Sequence, residues 1–379
     1  MRLSEVKHAE ERVEIRDLLS LEIQGYGTDN LYPQRLRNIT KSSGTANICV
    51  GRYGKFIRGA GFSDMNFYKF PVNRFGLKSD KLLRLISADI AQFYGFAIHV
   101  NYNALGEIVE LQHIPFEHTR LGVEDDFGCV GKIAVNKHWA GKRKKRASKE
   151  NTDYIDVFNP DKAVVLSQML SNGGIDKYKG QVIWVSLDGD YTYPTPKFDS
   201  SVTEFSTDEG LANVKMRNVR NNFLPAGILI TRKGTNTVQQ EGIQLEFNFD
   251  MQKFKQFQGD AKACQMIGVE LEHGEEAPEF KEFPARSFDK DFTVTESSTV
   301  ERIYAAFEQE AFYRVRTGAL GLSAEIISEA FKIYNSTTTD ERLIIEETFE
   351  TIFQHWHTAP PTTNFSIKEL IYIDDSNGQ

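Results

Sequence analysis

In residues 201–227, SVTEFSTDEGLANVKMRNVRNNFLPAG, a polar helical pattern runs into Pro225 and Gly227. Proline has no N–H to continue a helix, and the glycine frees the backbone to leave it. The apolar positions of this predicted helix are Phe205, Leu211, Val214, Met216 and Val219, with Lys215, Arg217 and Arg220 toward its C-terminal end. Such a helix is not buried all round and fits packing against neighbouring copies of itself. Beyond it the pattern predicts a small mixed insert: a strand at Gly227–Thr231, a helix over Met251–Cys264, a strand at Ile267–Leu271 and an extended stretch at Glu279–Phe283. A second helix, carrying Val300, Ile303, Tyr304 and Phe307 on one face, breaks at Arg316-Thr317-Gly318-Ala319-Leu320-Gly321. A short helix over Ala324–Tyr334 follows. The whole order is helix, insert, helix, Gly-marked loop, helix.

Working outward, Thr338 with Glu341 three residues on reads as a capping box for a last helix carrying Leu343, Ile344, Phe349, Ile352 and Phe353. After it come a proline-containing stretch, a strand-like Leu370–Ile373 and a polar tail. Toward the N-terminus, residues 1–30 read as a charged arm with a helix-compatible patch near Val13–Ile23, and Tyr32–Phe56 reads as one helix with Pro33 in its first turn. Ser79 is placed to cap a helix whose apolar face is Leu82, Leu83, Ile86, Ile90 and Phe93, ending at Gly95. A hairpin follows, Phe96–Tyr102 and Glu107–Ile114, then strands at Gly131–Val135, Tyr154–Phe158, Ala163–Leu166 and Gln181–Ser186. The fold class read from this alternation is α+β.

At 379 residues the chain exceeds what one core usually serves, so more than one substructure is expected. Apolar residues make up 40% and charged residues 26%, which excludes a globally disordered chain. The 27 Phe and 14 Tyr demand burial in a core or in subunit contacts. A net charge of −8 argues against a basic clamp on nucleic acid, though an acidic channel lets a polyanion pass without holding its phosphates. Cys49, Cys129 and Cys264 lie far apart and form no CxxC pair, so reduced thiols are expected, with neither zinc nor a disulfide framework. The charged start and the lack of a long apolar run lead to the expectation of a soluble product made in the cytoplasm, without a membrane segment.

The chemistry-bearing motifs of common enzymes are missing from the sequence: there is no GxxxxGK[ST], GxSxG or HExxH. Gly51, Gly54, Gly59 and Gly61 fall in and after a predicted helix, not between strand and helix, so they read as helix termination. His355 and His357 point in different directions on a helix and make poor joint ligands. Asp188 and Asp190 lack a third acid at metal-binding spacing and read as a turn, the alternative being a metal-dependent nuclease. No cofactor or metal is expected. The basic run Lys142, Arg143, Lys144, Lys145 and Arg146 would touch DNA or an acidic partner as a function; without interleaved aromatics, a solvated loop is the favoured reading. Glu270, Glu272, Glu275, Glu276 and Glu279 form an acidic patch in the insert, fit to dock a basic partner or equally to deter strand pairing.

The order of several segments resembles the portal proteins of tailed bacteriophages and prophages. Tyr32-Pro33-Gln34, Asn47-Ile48-Cys49-Val50-Gly51 and Gly59-Ala60-Gly61-Phe62 resemble the family's amino-terminal helix and its exit. Tyr94-Gly95-Phe96-Ala97 with Gly106-Glu107-Ile108-Val109 is similar to its wing hairpin, and Asn221 to Leu229 to the turn from stem into clip. Arg302-Ile303-Tyr304-Ala305-Ala306-Phe307 and Ile344, Glu346, Glu347 and Phe349 resemble the second stem helix and the closing wing helix. A proline-containing stretch common after the second stem helix is replaced here by Gly318-Ala319-Leu320-Gly321.

The resemblance implies a portal fold with an arm and α/β wing over 1–200, a first stem helix over 201–224 and a clip over 225–285. A second stem helix over 286–316, a tunnel loop and helix over 317–336, and a closing wing helix and tail over 337–379 complete it, with the crown small or absent. It implies a non-enzymatic ring, usually of twelve copies, at one capsid vertex of the virion, assembled in the host cytoplasm. Its implied partners are terminase, a head–tail adaptor, the major capsid or scaffold protein, and double-stranded DNA passing through. Gly318, Ala319, Leu320, Gly321, Leu322 and Ser323 would approach the DNA, and the acidic patch would be the docking surface of the clip. Another head-completion or connector protein is the alternative.

Overall fold

The computed structural model describes residues 15–141, 147–188, 193–220, 227–232, 258–259, 262–263, 266–271, 288–319 and 323–372, with backbone alone for 217–220, for the pieces between 227 and 271, and for 288–293. The chain is mixed α+β and divides into two compact units, Met1–Ser206 with Val300–Gln379, and Thr207–Thr299.

The first unit begins with strands β1 (Ile15–Leu18) and β2 (Ile23–Tyr26), an antiparallel pair where the sequence suggested a helix-compatible arm. Ile23 and Tyr26 are buried, and Tyr26 stacks between Tyr32 and Tyr193 at 5.1 and 4.0 Å. Tertiary stacking therefore overrides the weak helical pattern. The helix expected from Tyr32 to Phe56 is two, α1 (Tyr32–Ser42) and α2 (Gly44–Arg58). Ser43 between them is extended, and its hydroxyl accepts a hydrogen bond from the Ala46 N–H, so a serine cap splits the run. Gly59 ends α2 at φ 56°, where a Cβ would lie 1.9 Å from the Lys368 carbonyl oxygen. Only glycine fits there.

A two-residue strand β3 (Gly61–Phe62) and a short α3 (Met65–Tyr68) precede α4 (Ser79–Phe93), whose Leu82, Leu83, Ile86, Ile90 and Phe93 are all buried, as the spacing predicts. Ser79 is inside this helix and its hydroxyl donates to the Phe67 carbonyl, so it is not the cap. Strands β4 (Gly95–Tyr102), β5 (Ile108–Ile114), β6 (Thr119–Leu121), β7 (Lys132–Val135), β8 (Asp153–Val157) and β9 (Gln181–Ser186) form one sheet in the order β5-β4-β9-β8-β7-β6. Every pairing is antiparallel except β8 with β9. Parallel neighbours need a crossover, which is α5 (Lys162–Ser171), capped by Asp161. Ala163–Leu166, expected as a strand, is therefore helix.

Helix α6 (Val202–Arg220) leaves the first unit and α7 (Phe288–Ala306) returns to it; then come α8 (Glu310–Arg316), α9 (Ala324–Thr337) and α10 (Thr339–Gln354). The sequence pattern predicts the second helix unbroken to Arg316. It breaks at Phe307–Gln309, where Glu308 has φ 55° and the buried Gln309 amide donates to the Cys49 carbonyl and the Tyr334 hydroxyl. The capping box is not formed either. The Thr338 hydroxyl turns back to the carbonyls of Tyr334 and Asn335, and Glu341 is buried against Tyr53 and Lys197. On α10 the core positions are Ile345, Phe349, Ile352 and Phe353; Leu343 is exposed.

Helix α4 packs on β4 and β5, α2 on α4, and α9 and α10 on α2. Phe67 sits at the centre of an edge-to-face aromatic cluster, 4.6 Å from Phe62 and 5.0 Å from both Phe353 and Phe365. That is where much of the chain's phenylalanine goes. A two-residue strand, Ile367–Lys368, pairs with Gly61–Phe62, slightly before the expected Leu370–Ile373.

In the second unit, β10 (Gly227–Arg232) runs parallel to β13 (Met266–Leu271), while β11 (Gln258–Gly259) and β12 (Lys262–Ala263) pair antiparallel. The strands at 227 and 267 match the sequence reading. The helix expected over Met251–Cys264 does not hold where that segment is described, because 258–259 and 262–263 are extended and paired with each other.

Candidate functional site

Helix α8 ends in a paired-carbonyl motif. The Ala319 N–H reaches the Arg314 carbonyl at 3.0 Å and the Gly318 N–H the Val315 carbonyl at 3.1 Å, with Gly318 at φ 75°. This is a Schellman stop, which needs a residue in the left-handed region. Across the loop Ser323 caps α9, its hydroxyl accepting from the Ile326 N–H at 3.3 Å. Both ends of the candidate loop are thus fixed by helix-terminating hydrogen bonds. Leu320, Gly321 and Leu322 lie outside the described residues. Arg314, Arg316, Thr317, Gly318 and Ala319 are exposed, so the described approach to the loop carries two cations.

The base of the loop is held by rings. Phe312 on α8 meets Phe331 and Tyr334 on α9 at 5.7 and 5.6 Å, and Phe56 on α2 meets both of those at 5.0 and 4.8 Å. The Arg52 guanidinium lies over the Phe312 ring at 4.6 Å and donates to Gln309. Burial pushes the Tyr334 phenol well above its usual range, so it stays neutral and donates to the Phe307 carbonyl at 3.0 Å.

The helices bracketing the insert are ion-paired within each unit: Arg302 with Glu204 at 2.9 Å in the first, Lys215 with Glu296 in the second. In the second unit Val214, Met216 and Val294 are exposed apolar positions on these helices. In the first, Phe205 on α6 and Phe307 after α7 are buried together with Phe198.

Of the other sequence-nominated site residues, only Glu270, Asp188, His355 and His357 are described. Glu270 stands on β13 opposite Thr231; Glu272, Glu275, Glu276 and Glu279 lie outside the described residues, as do Lys142, Arg143, Lys144, Lys145 and Arg146. Asp188 accepts from the Thr195 N–H at 3.1 Å, and Asp190 is outside the described residues. His357 contacts the Ile108 carbonyl, and His355 ends α10. Among the described residues no group of three or more His, Cys, Asp and Glu is arranged to hold a metal ion, and no helix is long and apolar enough to cross a membrane.

Sequence reasoning missed three buried polar centres. Arg120 is fully buried and bonds Asn30, Gln34 and the carbonyls of Glu117 and Thr119; burial pulls its pKa down to about 10. Asp89 accepts from His113 at 2.7 Å and from the Phe116 N–H at 2.9 Å. Glu341 accepts from Tyr53 at 2.5 Å and Lys197 at 3.1 Å. Burial opposes the charge on Lys197, yet Glu341 and Tyr94 hold its pKa above the ordinary lysine value. No spacing pattern in the sequence announces Arg120 or Asp89, and Glu341 reads there as a capping residue rather than as a buried acid.

No protein-family model matches the chain, and no curated protein matches it. Among solved structures it is similar to a chain of the virion of a native gene transfer agent particle, at 11% identity and a TM-score of 0.39 over 85% of this chain and 89% of that one. It is also similar to a chain from the neck of an empty gene transfer agent particle computed with C6 symmetry, at 11% identity and a TM-score of 0.43 over 82% and 83%. A third likeness is to a chain from the neck of a native particle computed with C12 symmetry, at 11% identity and a TM-score of 0.38 over 86% and 90%. All three likenesses are distant.

Proposed function

We propose that this chain is a portal subunit of a tailed-phage-like particle, a non-catalytic ring through which double-stranded DNA is packaged and released. The observation that carries the reading is the way the second unit is attached. The chain enters it on one long helix, Val202–Arg220, and leaves it on another, Phe288–Ala306, with an ion pair between the two helices in each unit. That is the stem–clip–stem order which the sequence resembles. Exposed Val214, Met216 and Val294 add support, because apolar positions on polar helices are covered when copies pack side by side.

In this reading the two helices are the stem, the insert between them is the clip that meets terminase and later a head–tail adaptor, and the loop at Gly318–Ser323 approaches the DNA. Twelve copies at a capsid vertex are expected. The loop's role is tested by replacing Gly321 with a bulky residue and measuring assembly and DNA packaging separately. Assembly is expected to survive while packaging falls; normal packaging would remove the loop from the channel.

A further inference from the structure

An open groove of about 640 Å³ lies between the loop after Val72, the start of α4 and strand β5. Its apolar lining includes Phe75, Leu77 and Leu85, and Lys78 and Lys81 stand along it. Phe75 is 82% exposed, an unusual cost for an aromatic ring in a surface loop. The acids around the groove are already matched: Glu110 accepts three hydrogen bonds from Arg74, two of them from its guanidinium, Asp80 pairs with Arg84, and Asp89 holds His113. Lys78 and Lys81 have no ion pair among the described residues. The groove is therefore apolar with uncompensated positive charge, in a chain whose net charge is −8.

A feature of the opposite character stands on the hairpin between β6 and β7. Its tip reads Glu124-Asp125-Asp126-Phe127-Gly128-Cys129, and Phe127 is 91% exposed. The tip is well formed. The Asp125 carboxylate accepts from the N–H groups of Phe127 and Cys129 at 2.9 and 2.8 Å, and Gly128 takes φ 75°. Phe127 is thus held outward in an acidic setting. β5 and β6 are the two ends of the strand order, and none of residues 124–129 lines the groove of its own chain.

We propose that the Phe127 knob of one copy seats in the Lys78/Lys81 groove of the next. Phe127 would meet Phe75, Leu77 and Leu85, with Asp125 and Asp126 facing the two lysines. The contact is heterologous: the knob and the groove are different surfaces, so each copy offers one of each to its neighbours, and such a contact closes into a ring when the rotation permits. It rests on the ring reading above and supplies that reading with a subunit contact.

The test uses the exposed native Cys129 beside the knob. Lys81→Cys in the full-length chain, mildly oxidised and run without reductant, is expected to give a ladder of covalent oligomers. The ladder is absent from wild type and is lost when Cys129→Ser is added. In parallel, Lys81→Glu and Asp126→Lys are each expected to raise the concentration for half-assembly at least about tenfold, and together to restore it to within about threefold of wild type. Light scattering on the same samples separates the two claims. A ring that forms with no ladder and no charge rescue overturns the knob contact and leaves the portal reading standing. A chain that stays monomeric and gives no ladder overturns both.

Discussion

Gly318→Ala is expected to destabilise the first unit by about 1–2 kcal/mol, the cost of placing an L-residue in the left-handed region. The figure follows from two facts. Gly318 has φ 75°, and a Cβ added there meets nothing within 4 Å among the described residues, so backbone strain is the penalty. Gly318→Asn should cost about half as much, because asparagine tolerates that conformation better. Gly59→Ala is the internal control. It adds a collision at 1.9 Å with the Lys368 carbonyl, which also accepts the Ala60 N–H. Strain of about 1–3 kcal/mol and a lost backbone hydrogen bond of about 0.5–1.5 kcal/mol put its cost at about 1.5–4.5 kcal/mol before the steric collision is counted. Urea unfolding followed by tryptophan fluorescence is the assay, since Trp139, Trp184 and Trp356 all belong to the first unit. A Gly318→Ala cost equal to that of Gly59→Ala would refute the reasoning, and so would equal costs for Ala and Asn at 318.

Arg120→Met is expected to cost about 3 kcal/mol in the same assay, because it takes the guanidinium donors from the buried carbonyls of Asn30 and Thr119 and leaves the Asn30 side-chain oxygen only the Tyr26 N–H; a change under about 0.5 kcal/mol would show that the network is solvated. Tyr53→Phe removes the hydroxyl donor to Glu341, whose other oxygen is already buried without a partner among the described residues, and should cost about 1–3 kcal/mol. Burial holds the His99 pKa below its usual value. The unfolded chain therefore binds this proton more readily, and stability should fall as pH drops through the ordinary histidine range toward the lower folded value. The drop from pH 7.5 to pH 5.5 should be smaller in His99→Gln than in wild type, read by thermal unfolding at both pH values; identical profiles would contradict the assignment.

Long, strongly periodic elements were legible in the sequence. The α4 face, the β4–β5 hairpin with its Asn103–Gly106 turn, and the two helices bracketing the insert all follow from spacing and breakers. What was not legible depended on contacts distant in sequence. The stop between α7 and α8 exists because Gln309 bonds Cys49 and Tyr334, residues far away along the chain. At α5 the run Ala163–Leu166 suggests a strand because four apolar residues have no period of their own; only the parallel pairing of β8 with β9 demands a crossover there. The Thr338–Glu341 pair looked like a cap, yet tertiary burial of Glu341 redirected both side chains. At the candidate loop, the breaking role of Gly318 was readable. The Schellman geometry and the aromatic base beneath it were not, since Phe56, Phe312, Phe331 and Tyr334 come from three separate helices.

The central claim is that copies of this chain close into a channel, and negative-stain imaging of the purified protein, with its mass taken by light scattering, tests it most directly. Closed rings, with twelve copies expected and a central hole wide enough for duplex DNA, are the outcome the portal reading requires. A compact monomer at every concentration, or a closed oligomer without a hole, would contradict it.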